Sequence, residues 1–96
     1  MIKIEIKGSE IGTEADFHSQ VASLLHFPNY YGHNLDAFWD CYTDFLISYP
    51  DEKICFYWLN HEESRNNLGA KFFNLVVSLL EDGKREWKPD LDIKLC

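Results

Sequence analysis

Three aspartates recur at four-residue intervals in the segment LDAFWDCYTDFLIS: Asp36, Asp40 and Asp44. Carboxylates at i, i+4 and i+8 share one side of an α-helix. Such a row can serve two kinds of chemistry. With a histidine it can hold a divalent cation, and His33, Asp36 and Asp40 stand at the spacing H-x2-D-x3-D. Without a metal it can meet a cationic surface on another macromolecule. No second ligand cluster, nucleophile or Gly-rich phosphate loop accompanies the first set, so recognition is the favoured chemistry and no metal or other cofactor is expected. Just upstream, Tyr30-Tyr31-Gly32 offers paired amphipathic rings of the type that anchor interfaces. A tyrosine loop leading into a carboxylate-bearing helix reads as a docking ridge for a protein.

The row is placed at a local cost. Each i,i+4 like-charge pair destabilises an isolated helix by roughly 0.2–0.5 kcal/mol. Aspartate is also a poor mid-helix residue. Asp36 gains from the positive end of the helix dipole, but Asp40 and Asp44 lie too far along. No Lys or Arg lies between Lys7 and Lys53, while residues 8–52 carry eight of the sixteen acidic residues. One half of the chain therefore holds the whole of the net charge of −7. Local rules broken without local compensation are expected where function sits.

Charge and composition exclude several classes. An acidic chain is a poor binder of nucleic acid or of an anionic membrane surface. The 96 residues are 46% hydrophobic and 16% aromatic, which suits one folded domain spanning 1–96. No run approaches 18 apolar residues, and the N-terminus MIKIEIKGSEIG lacks the apolar core of a secretory signal. Cys41, Cys55 and Cys96 are odd in number and widely spaced. They read as core hydrophobes in a reducing, cytoplasmic setting.

Several elements must hold the acidic segment in place. IKIEI (2–6) alternates as a strand. Thr13 and Asp16 form a weak capping box for a helix with Phe17, Val21, Leu24 and Leu25 on its apolar face, ending before Pro28. Within that helix, His18 reads as a hydrogen-bonded structural histidine. FPNYYGHN is a loop, and Asn34 caps a helix over about Leu35–Ser48 that stops before Pro50. Leu35, Phe38, Tyr42, Phe45, Leu46 and Tyr49 form its apolar side. The aspartates lie opposite, with Thr43 among them and Trp39 at the edge. ICFYWL (54–59) reads as a strand buried on both faces. NHEESRNN reads as polar loop or a short helical turn. A long helix follows from about Leu68 to Glu81, with Gly83 as its stop. LDIKL (91–95) is the last strand. Strands alternating with helices predict a parallel α/β sheet with right-handed crossovers.

At FPNYYGHNLDAFWDCYTDF the sequence resembles the barstar family, inhibitors of the ribonuclease barnase. Pro28, Tyr30, Tyr31, Gly32, Asn34, Leu35, Asp36, Ala37, Trp39, Asp40, Cys41 and Thr43 carry the resemblance in a nearly ungapped run. Asp16-Phe17-His18, ICFYW followed by HEES, Gly69-Ala70 and LDIKL extend it over most of the chain. The resemblance implies a three-stranded parallel sheet packed with about four helices, and no enzymatic activity. It implies a chain that plugs the active site of a barnase-type ribonuclease; a monomer is the expectation for the free chain, which the sequence itself does not fix. Asp40 would stand in the substrate phosphate site, Asp36 would pair with a nearby cation, and Tyr30 would pack on the nuclease's catalytic histidine. Tyr31, Asn34, Leu35, Ala37, Trp39 and Thr43 would surround them, with Asp44 and Phe45 at the far end. Asp44 stands where the family has a small residue. The family's last-helix glutamate aligns with Leu79, and Glu81 lies two residues on; which of them serves there is open. The other reading is an acidic interaction module for a non-nuclease partner with a basic groove.

Overall fold

A computed structural model describes residues 1–96. Its elements follow in the order β1 (Ile2–Lys7), a 3₁₀ turn (Gly8–Glu10), α1 (Glu14–Leu24), α2 (Leu35–Ser48), β2 (Ile54–Leu59), α3 (His61–Leu68), α4 (Ala70–Trp87) and β3 (Asp92–Leu95). The strands make one three-stranded parallel sheet in the order β1-β2-β3. The architecture is the parallel α/β sheet with four α-helices expected from the sequence.

Alternation sorts the strands. Ile4 and Ile6 of β1, paired with Phe56 and Trp58 of β2, point into the core with Ile54. The opposite face of β2 is not covered by a helix, which corrects the expectation of a strand buried on both sides. There Cys55 is buried, but Tyr57 and Leu59 are only half-buried. The ammonium groups of Lys3 and Lys94 lie 5.1 and 5.9 Å from the Tyr57 ring centre. Lysine stems and cation–π contact thus do the covering that a helix would do elsewhere.

Both long-range helix starts are built as the sequence predicts. Thr13 Oγ1 accepts from the Asp16 backbone N–H at 3.1 Å, and the Asp16 carboxylate accepts from the Thr13 N–H in return. Asn34 Oδ1 accepts from the Ala37 N–H at 2.8 Å. The second half of the chain departs from expectation. Most of NHEESRNN is helix: α3 starts at His61, after Asn60 in a left-handed conformation, and is held to the sheet by Ser64, whose hydroxyl accepts from Trp58 Nε1 at 2.9 Å and donates to the Gly8 carbonyl at 3.0 Å. Gly69, at φ +87°, separates it from α4, so the long helix begins at Ala70 rather than Leu68.

Gly83 is not a helix stop. It lies inside α4 because the Tyr42 ring of α2 rests against it. A Cβ there would overlap Tyr42 Cε2 and come within 3.1 Å of Leu46 Cδ1. The Tyr42 hydroxyl donates to the Leu80 carbonyl at 2.8 Å, and burial pushes its phenol well above the usual tyrosine range. α2 and α4 are thereby keyed together by one ring and one missing methyl. Replacing a glycine by alanine within a helix ordinarily gains up to about 1 kcal/mol. Here overpacking of the order of 1–3 kcal/mol opposes that gain. Gly83→Ala is therefore expected to lower the urea unfolding midpoint; a midpoint equal to or above that of the unaltered chain would contradict the keyed packing.

Candidate functional site

The keyed contact sets the rotation of α2. With Phe38, Tyr42 and Leu46 buried, Asp36, Asp40 and Asp44 are all exposed. None of their three carboxylates takes part in an ion pair or a hydrogen bond of the molecule itself; Asp40 and Asp44 accept side-chain hydrogen bonds only at their backbone carbonyls. Residues four apart on a helix drift by about 40°. The row consequently fans across the surface. Asp36 and Asp40 border a groove of about 610 Å³ between α2 and α4, together with Trp39, Leu75, Leu79 and Asp82. Asp44 borders a separate pocket of about 310 Å³ between α2 and the loop that precedes it.

The loop is rigidly built. Tyr31 and Tyr30 part company: Tyr30 is 87% exposed, whereas Tyr31 is 7% exposed. The Tyr31 ring packs on Phe27 and His33, with centroids 4.9 and 5.1 Å away. Its hydroxyl lies 2.6 Å from Nδ1 of buried His18. Burial, and then the nearby thiol of Cys41, hold the Tyr31 phenol protonated far above neutral pH. The phenol therefore donates, and neutral His18 accepts through Nδ1. Burial lowers the His18 pKa below its usual 6.5, and neighbouring His33 lowers it further. The structural role expected for His18 is thus the anchoring of the tyrosine loop.

The other candidates fall into place around these. Asn34 is exposed, but its side chain is committed to the α2 cap and to the Gly32 carbonyl at 3.2 Å. Leu35, Ala37, Trp39 and Phe45 are half-buried. Thr43 is buried and donates its hydroxyl to the Asp40 carbonyl at 3.0 Å, so it does not stand among the aspartates at the surface. His33, Asp36 and Asp40 do not converge as a metal-ligating group. Of the cysteines, Cys55 is buried, Cys41 is half-buried and packs against the core, and Cys96 is exposed, so the core-hydrophobe reading fails for Cys96.

Sequence reasoning missed part of the α4 wall. Neither Leu79 nor Glu81 supplies an acid to the groove: Leu79 lines it with an apolar side chain, and Asp82 is the α4 acid present. The signal was the register 75, 79, 82 along α4, hidden by the premature stop at Gly83. Asp82 is paired with Arg85 one turn on, so its charge is partly spent within the molecule. The reading also missed Lys88. Its nearly buried side chain donates to the Tyr49 carbonyl at 2.9 Å and the Pro50 carbonyl at 3.4 Å, placing a cation at the negative end of α2.

Residues 1–95 match the Barstar family, whose description is barnase inhibitor. The chain belongs to that family. It is also 32% identical over 93 residues to "Putative ribonuclease inhibitor YrdF" of Bacillus subtilis (strain 168), with 97% of each chain covered. The Barstar-family fold here carries no helix long and apolar enough to cross a membrane.

The anchor beneath the loop gives this Barstar-family chain a pH response. A histidine whose pKa is lower folded than unfolded binds fewer protons in the native state. Its penalty is absent well above pH 6.5, sets in as pH falls through the unfolded value of 6.5, and is complete below the depressed folded value. The urea midpoint is expected to drop between pH 7 and pH 5, and to drop less in His18→Gln. Equal pH slopes in the two proteins would place the titration elsewhere.

Proposed function

We propose that the chain is a reversible protein inhibitor of a barnase-type ribonuclease, doing no chemistry of its own. The observation that carries this reading is the set of three exposed aspartates that no cation of the molecule itself neutralises. A ribonuclease must hold RNA phosphate, so its cleft is lined with cations. A carboxylate entering that cleft gains charge-assisted hydrogen bonds and can pair bidentately with arginine. Asp40, midway along the row, takes the place of a substrate phosphate, and Asp36 pairs with a cation beside it. Tyr30 offers its exposed ring as a flat apolar contact, while Leu35 and Trp39 wall the approach.

Membership of the barnase-inhibitor family and the name of the Bacillus subtilis relative support the same partner class. The acidic excess of residues 8–52 also suits encounter, because complementary fields raise association rates. The cytoplasm, where three free thiols persist, is the setting for such an inhibitor.

Titrating barnase-type ribonucleases with the purified chain while following RNA cleavage tests the reading. One-to-one inhibition is the expected outcome. Asp40→Ala should weaken it by about 2–5 kcal/mol, the usual cost of leaving buried interface charge unpaired. Asp51→Ala, an exposed acid in the turn after α2, should leave it unchanged. Equal effects of the two substitutions would contradict the role given to Asp40.

A further inference from the structure

The drift of the aspartate row leaves Asp44 outside the groove that holds Asp36 and Asp40, in a pocket with different walls. Tyr30 and Tyr49 stand at this pocket as exposed rings, and half-buried Phe45 packs 5.3 Å from Tyr49. Cys41 and Ser48 complete the α2 side. The Asp44 carboxylate has no cation and no hydrogen-bond donor of the molecule itself. Ser48 spends its proton on the Asp44 backbone carbonyl at 2.7 Å, so its oxygen remains an acceptor. Burial raises the Cys41 pKa most, and Asp44 and then Asp40 raise it further, which marks the local field as negative.

These features select an occupant. An anion is repelled. A wholly apolar group would strip water from Asp44 and return nothing. A planar cation suits the walls just named: its faces can lie on the aromatic rings while its N–H groups turn toward a carboxylate and a hydroxyl oxygen, with His26, Phe27 and Pro28 closing the loop side. Guanidinium has that shape, is more weakly hydrated than ammonium, and offers paired donors to one carboxylate. We propose that this pocket is a second cation subsite, distinct from the α2–α4 groove, which takes an arginine side chain of the bound protein against Asp44 and the rings of Tyr30, Phe45 and Tyr49.

The subsite rests on the inhibitor reading for the identity of the protein that brings the arginine, and the two can fail separately. The direct test titrates the isotope-labelled full chain with Nα-acetyl-arginine amide and follows backbone amide shifts. Saturable shifts are expected at Tyr30, Cys41, Asp44 and Phe45. They should vanish in Asp44→Asn, persist in Asp36→Asn, and be weaker with the lysine counterpart. Absent shifts, or shifts that survive Asp44→Asn, would overturn the subsite whether or not any nuclease is inhibited. The second arm uses the ribonuclease that the chain inhibits. There Asp44→Asn should weaken binding roughly tenfold, with Asp51→Asn as the neutral control. Inhibition undiminished in Asp44→Asn but lost in Asp40→Ala would leave the inhibitor reading standing and overturn the arginine subsite.

Discussion

The seating of Tyr42 on α4 is the constraint from which the rest follows. Its hydroxyl is bound to the Leu80 carbonyl, and its ring fills the space that a side chain at Gly83 would need. That fixes both the separation of α2 from α4 and the rotation of α2 about its own axis. Rotation matters because successive residues are about 100° apart. A turn of half that would begin to bury Asp40 and expose Phe38. A buried carboxylate without a partner costs far more than the mild repulsion it suffers at the surface. The same contact thus holds the helix to the core and keeps its charges in water.

The helix that bears these charges is poorly designed by local rules, and the compensation comes from outside it. Asn34 caps its start, and Asp36 sits near the positive end of its dipole. Lys88, 39 residues beyond Tyr49 in sequence, closes its far end by binding the carbonyls of Tyr49 and Pro50. The loop ahead of it is tied down by the Tyr31–His18 hydrogen bond. None of these supports touches an aspartate side chain. The carboxylates remain solvated and free, so a partner's cations meet groups that need not first be released from an internal ion pair. A row already paired with cations of its own molecule would be a worse ligand and hardly a more stable helix, because surface pairs add little and each would have to be broken before a partner's cation could bind.

Much of this was legible in the sequence, and the limits have physical reasons. α2 could be read to the residue because a good N-cap, a clear apolar stripe and Pro50 all mark it. The order of strands followed from alternation and turn residues. α3 reads from its composition only as a loop or a short turn because it is polar almost throughout, with only Ser64 buried; tertiary ties make it a helix, through Ser64 to Trp58 and Gly8, Asn67 to the Ile11 carbonyl, and Leu68 against the core. Gly83 was misread because a glycine that ends a helix and one that makes room for a neighbouring ring look alike without the neighbour. That single misreading also hid Asp82, one residue before the supposed stop. Tyr30 and Tyr31 carry the same side chain, and only the fold reveals that one anchors the loop while the other stands in solvent.

The fan of the aspartates shapes what such a surface can distinguish. A coiled-coil seam keeps its residues in line by repeating every 3.5 residues, whereas a four-residue repeat precesses around the helix. Asp36 and Asp44 end up about 80° apart, each facing a different wall: α4 on one side, the tyrosine loop on the other. A partner with one cationic spot could satisfy Asp40 alone. A partner must present cations across a concave arc, with the right spacing, to satisfy all three. Charge alone draws many basic proteins toward an acidic face, and at short range each unmet carboxylate becomes a penalty. The precession of an ordinary helix thereby turns a generic attraction into a selective one.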